Sequence, residues 1–148
     1  MGLDMYLTKR DKNDKSEKRK TVCYWRKAFG ILNWFNSNLK SVEREDPNAP
    51  MCEWDDKPGI NCAGRYTVTK RELEELLSTC QDVLESKVNK IGTYIPEDLL
   101  PVGKGCFCDA YVGINDWWWY DIERTVKELP KAIKKVDWDN DIVEFYIS

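Results

Sequence analysis

The stretch "TVCYWRKAFGILNWFNSNLK", Thr21 to Lys40, decides how many helices this chain has. Tyr24, Ala28, Ile31, Phe35 and Leu39 recur at helical spacing, and Trp25, Leu32 and Trp34 widen the stripe. Thr21 stands where a capping residue belongs. The spacing therefore predicts a helix over 22–40. Gly30 falls inside it, at a cost of roughly 1 kcal/mol against alanine, and leaves room for another element to approach.

On the N-terminal side, "LDMYLT" alternates Leu3, Met5 and Leu7 with Asp4, Tyr6 and Thr8, the period of a half-buried strand. Between strand and helix runs "KRDKNDKSEKRK", residues 9–20, with seven basic and three acidic side chains and no apolar one. Such a run predicts a solvated charged loop, or a basic contact to an acidic partner.

On the C-terminal side, residues 41–64 contain three prolines and two glycines and predict a long irregular acidic loop. "RYTVT" predicts a short strand. "TKRELEELLSTCQDVLES" opens on a capping box, Thr69 with Glu72 three residues on, and presents Leu73, Leu76, Leu77, Cys80, Val83 and Leu84 as one face. "NKIGTYIPEDLLPVGKG" predicts a loop and "CFCDAYV", 106–112, a strand. Asn115 or Asp116 caps a third helix from Trp117 to Val136. Its stripe is Trp118 or Trp119, Ile122, Val126, Leu129, Ile133 and Val136, and Pro130 should kink or split it. "DIVEFYIS" closes the chain as a strand with Val143, Phe145 and Ile147 on one face. The sum is one α+β domain over 1–148, a small, mainly antiparallel sheet of three to four short strands with about three packed helices.

In "NDWWWYD", Asn115 to Asp121, three adjacent tryptophans span more of a helix than a buried stripe covers. Trp118 or Trp119 leads into the core. Trp117 shares a more polar face with Asp121 and Arg124, and is the ring expected to be exposed or covered by the 41–64 loop.

The 148 residues carry a formal net charge of −3, which argues against a general nucleic-acid binder. No apolar run is long enough to span a membrane, and no signal peptide is read at the N-terminus, so a cytoplasmic location is expected. There is no histidine, which removes the commonest general base and metal ligand. Of the six cysteines, Cys23 and Cys80 fall on expected helices and read as packing residues. Cys52, Cys62, Cys106 and Cys108 make a weak candidate metal site, because their spacing lacks the paired pattern of zinc ligands. "DWDND", 137–141, has the opening spacing of a calcium loop, but Ile142 and Ser148 occupy its glycine and glutamate positions. It reads as a turn. No pair of side chains has the positioning of acid–base or covalent catalysis, and no cofactor is implied.

Taken in order, "MGLDMYL", "YWRKA" followed by "WF", "RYTVTKRELEELLSTC", "LLPVGKG" and "WWWYDIERT" resemble a family of small, mostly uncharacterised phage and prophage proteins. The resemblance implies expression in a bacterial cytoplasm and supplies no catalytic residues. Members often have histidine where Leu32 stands and phenylalanine where Cys106 and Cys108 stand, so those positions carry no family chemistry.

The first functional expectation is a non-enzymatic accessory protein that binds and modulates or inhibits a host protein, for example a defence nuclease, in the anti-CRISPR manner. Its surface candidates are Trp117, Asp121, Arg124, Glu53, Trp54, Asp55 and Asp56, and self-association is compatible with it. The second is a sponge for a small nucleotide signal, with Trp25, Arg26, Lys27 and the Trp117 to Tyr120 group supplying rings and cations. An enzyme ranks below both.

Overall fold

The structure is a computed structural model that describes residues 4–16, 18–42, 64–89 and 116–148. Four strands form one antiparallel sheet: β1 (Asp4–Asp11), β2 (Lys20–Arg26), β3 (Arg65–Thr67) and β4 (Asp141–Ile147), in the order β2-β1-β4-β3. Among the described residues three helices accompany it: α1 (Phe29–Asn38), α2 (Lys70–Asn89) and α3 (Asp116–Lys135). The α+β expectation holds.

The helix expected over 22–40 is corrected. Thr21 to Arg26 belong to β2, and the helix begins only at Phe29. β2 pairs with β1, Met5 opposite Trp25 and Leu7 opposite Cys23, so Cys23 and Trp25 turn inward while Tyr24 faces out. β-Branched Thr21 and Val22 and aromatic Tyr24 and Trp25 favour a strand, and a neighbouring strand is there to receive it. Cys23 is accordingly a strand residue, not a helical one. Gly30 lies in the first turn of α1.

The charged run is corrected as well. Lys9, Arg10 and Asp11 extend β1, Lys20 starts β2, and an exposed turn links them into a hairpin. Its cations are used rather than merely solvated. Lys9 Nζ donates to the last helical carbonyl, Lys135 O, at 2.7 Å and lies 3.5 Å from Asp141. It therefore satisfies an unpaired carbonyl at the negative end of α3. Arg10 and Arg19 both donate to Glu144 Oε1.

Inner-face residues Met5, Leu7, Trp25, Val143, Phe145 and Ile147 build the core with Ile31, Leu32 and Phe35 of α1 and Leu73, Leu76, Cys80 and Val83 of α2. Phe35 stacks on Phe145 at 4.1 Å between centroids and meets Trp25 and Trp34 edge-on. On α3, buried Trp118, Ile122, Thr125, Leu129 and Ala132 form the stripe, and buried Val136 follows just past its end. Val126 and Ile133, expected inside, sit at its edge, and Thr125 and Ala132 take the central places. Pro130 does not split α3, which continues to Lys135. It removes the single backbone donor that would reach Val126.

The capping box stands as expected. Glu72 N–H donates to Thr69 Oγ1, and Glu72 Oε1 receives both the Thr69 N–H and its hydroxyl. The other oxygen, Oε2, receives the Lys40 N–H at 2.9 Å, which ties the turn after α1 to the start of α2. Glu72 is a buried carboxylate whose lone pairs are occupied by donors, so its burial is tolerated. Glu72→Ala should cost about 2–3 kcal/mol in urea unfolding, because it strands the Lys40 and Thr69 N–H groups together. Glu72→Gln should recover part of that loss.

Candidate functional site

α3 carries two parallel stripes one residue apart. Trp118, Ile122, Thr125 and Leu129 point into the core. Trp117, Asp121 and Arg124, at the same spacing, lie about 100° around the helix. Trp117 is 74% exposed and Tyr120 52%, the large apolar side chains that stand out among the described residues. Their rings meet edge-on at 6.2 Å. Of the three adjacent tryptophans Trp118 is the one in the core, and Trp119 touches it edge-on from the margin at 4.9 Å.

Opposite this second stripe lies the junction between β2 and α1. Arg26, Lys27 and Phe29 from the junction and Trp117, Trp118, Tyr120, Asp121 and Arg124 from α3 line one cleft of about 460 Å³. A buried hydrogen bond sets the junction against the helix. Trp25 Nε1 donates to Thr125 Oγ1 at 2.8 Å, and that hydroxyl donates to Asp121 O at 2.7 Å. Lys27 holds φ 52°, a left-handed conformation uncommon outside glycine and asparagine. The turn it makes, with Phe29 N–H donating to Lys27 O, reverses the chain from β2 into α1.

The electrostatics are uneven. Arg26, Lys27 and Arg124 place three cations around the cleft, and Arg124 also lies 5.6 Å from the Tyr24 ring centroid. Asp121 is half-buried, and burial pushes its carboxyl up to about 7, with the Arg124 charge opposing. Cys23 and Cys80 are free thiols whose burial pushes both up to about 12, so neither is a ready nucleophile.

Of the residues expected at the site, Trp117, Asp121 and Arg124 come together, as do Arg26 and Lys27. Trp25 does not join them, because its ring is in the core and its N–H is used by Thr125. Glu53, Trp54, Asp55 and Asp56 lie outside the described residues, as do Cys52, Cys62, Cys106 and Cys108 and the strand expected over 106–112. Among the described residues no group of histidine, cysteine or acidic side chains is placed to hold a metal ion. The 137–140 segment is a turn closed by its own aspartates, with Asp137 N–H donating to Asp141 Oδ2. Phe29 was not anticipated, since a continuous helix from Val22 would hide the turn that brings it to the cleft. No described helix is long and apolar enough to cross a membrane. No protein-family model, curated protein or solved structure matches the chain.

Two substitutions probe the site without a ligand. Asp121 titrates from a usual value of 3.8 when unfolded to about 7 when folded. Between those values the folded state keeps a proton that the unfolded state has released, so stability falls as pH rises from about 4 to about 7. Asp121→Asn should therefore raise Tm at pH 8, on the order of 2–4 °C, and show no gain near pH 4. Lys27→Gly should leave stability unchanged or raise it by up to about 1 kcal/mol, because glycine adopts φ 52° without the cost a side chain incurs. Thermal melting across pH checks the first, and urea unfolding checks the second.

Proposed function

We propose that this chain is a non-enzymatic binding protein that holds a small anionic ligand with a planar ring, a nucleotide-type signal, in the cleft between the β2–α1 junction and α3. One observation carries the reading: exposed rings of α3 and two cations without an ion-pair partner among the described residues, Arg26 and Lys27, converge from distant parts of the sequence on one concavity. Its volume, about 460 Å³, falls in the range of small-molecule sites. Trp117 and Tyr120 offer π-faces for a ring, and Arg26 and Lys27 offer donors for phosphate. Among the described lining residues nothing pairs a nucleophile with a base, which favours retention over turnover. In a phage or prophage setting, as the sequence resemblance suggests, such a protein would lower the free concentration of a host signal.

A second reading is favoured by the exposure of Trp117 and Tyr120 themselves. Tryptophan and tyrosine are preferred anchors of protein interfaces, so the same patch suits an inhibitor of a bacterial host protein. The two readings separate in solution. Under the first, a panel of cyclic and linear nucleotides contains at least one that raises Tm by several degrees, as ligand linkage requires. Trp117→Ala should abolish that rise and leave the circular dichroism spectrum of the free chain unchanged. No shift with any nucleotide, together with a host protein retained by the native chain and lost by Trp117→Ala, supports the inhibitor instead.

A further inference from the structure

Asp121 is the odd member of the cleft. Three cations and two exposed rings suit an anion with a ring, but a carboxylate between them would repel that anion's phosphate. Asp121 is half-buried, and its carboxylate has no hydrogen-bond or ion-pair partner among the described residues, since its neighbour Arg124 acts on it only through space. A half-buried carboxylate that no described protein group donates to is left to water on its open side, and a ligand's donors can replace that water. The carboxylate is satisfied by a ligand that brings two adjacent N–H donors. Guanine presents such a pair, N1–H and N2–H, on its Watson–Crick edge. Adenine and cytosine place a ring acceptor beside their amine, and uracil flanks its one N–H with two carbonyls. Each of these would set oxygen or nitrogen lone pairs against the carboxylate.

Resting on the ligand-binding reading of the same cleft, we infer that the ligand is a guanine nucleotide: its base edge donates to Asp121, its ring lies against Trp117, and its phosphate lies toward Arg26 and Lys27. Acceptor, ring and cations are all lining groups of one concavity, and neither Arg26 nor Lys27 has an ion-pair partner among the described residues. The cleft's size suits one nucleotide, and the chain's net charge of −3 disfavours a longer strand. The source is therefore a free nucleotide and not a guanine within nucleic acid.

Calorimetric titration of the full chain at pH 8 tests this, with 5′-GMP, 5′-AMP, 5′-CMP and an oligothymidylate carrying one central guanine as probes. 5′-GMP should bind tightest. Asp121→Asn should weaken 5′-GMP by roughly 5- to 150-fold, the worth of a bidentate base contact. The same variant should tighten 5′-AMP, because an amide offers one donor and one acceptor. Trp117→Ala should weaken all the mononucleotides by a common factor. Equal affinity for 5′-AMP and 5′-GMP, or an Asp121→Asn variant that keeps its 5′-GMP affinity, overturns the guanine assignment while the ligand reading stands. Tighter binding of the oligothymidylate than of 5′-GMP overturns the free-nucleotide source. Binding of none of the probes overturns the guanine assignment, and the wider panel of cyclic and linear nucleotides then decides the ligand reading separately.

Discussion

The indole N–H of Trp25 donates to the Thr125 hydroxyl at 2.8 Å, and the cleft depends on that bond. Both residues are buried, and one hundred positions separate them in sequence. Without an acceptor, the indole N–H would be an unsatisfied donor in an apolar core. With Thr125 in place, β2 and α3 are held at a fixed distance and rotation. The residues just beyond each partner then have nowhere to go but into the same space. Arg26 and Lys27 follow Trp25, and Asp121 and Arg124 precede Thr125 on the helix. A core contact thereby sets the geometry of a surface site.

The rest of the fold holds that contact in register. β1 and β4, from opposite ends of the chain, are the central strands, and the charged run lies along their shared end. Lys9 closes the carboxyl end of α3, Arg10 and Arg19 converge on Glu144, and Lys12 reaches Asp139 O. Exposed ion pairs contribute little each. Here they coincide with strand pairing and with a helix terminus, so they add direction to contacts the backbone already makes. Glu72 acts similarly at the other end, where one buried carboxylate joins α1's exit to α2's start.

How far the site was legible varies residue by residue. Trp117, Asp121 and Arg124 were grouped by helical spacing alone, because all three sit on one helix. Arg26 and Lys27 were recognised as useful parts, but periodicity could not say that they face Trp117. Trp25 reads both as part of the apolar stripe and as a ring for a ligand site, since a tryptophan that stacks and one that donates inside a core look alike in a string of letters. Lys27's left-handed turn left no trace either, because the usual signal for that conformation is glycine or asparagine. The 22–40 helix failed for a related reason. A stretch whose apolar residues fit a 3.6-residue period can also alternate acceptably over five residues, and only a waiting partner strand decides between the two.

The sequence by itself determined the local elements whose information is local. These are the capping box at Thr69 and Glu72, the α2 face, the first and last strands, and the exposure of Trp117 against the burial of a neighbouring ring. Helical and strand periods are properties of adjacent residues, so they can be read from adjacent residues. Tertiary structure alone decided which strand Trp25 would join, which cations the charged run would spend on α3 and Glu144, and which two distant segments would enclose the cleft. Those outcomes depend on partners far away in the chain, because a buried donor or carboxylate is tolerated only where another segment supplies its complement.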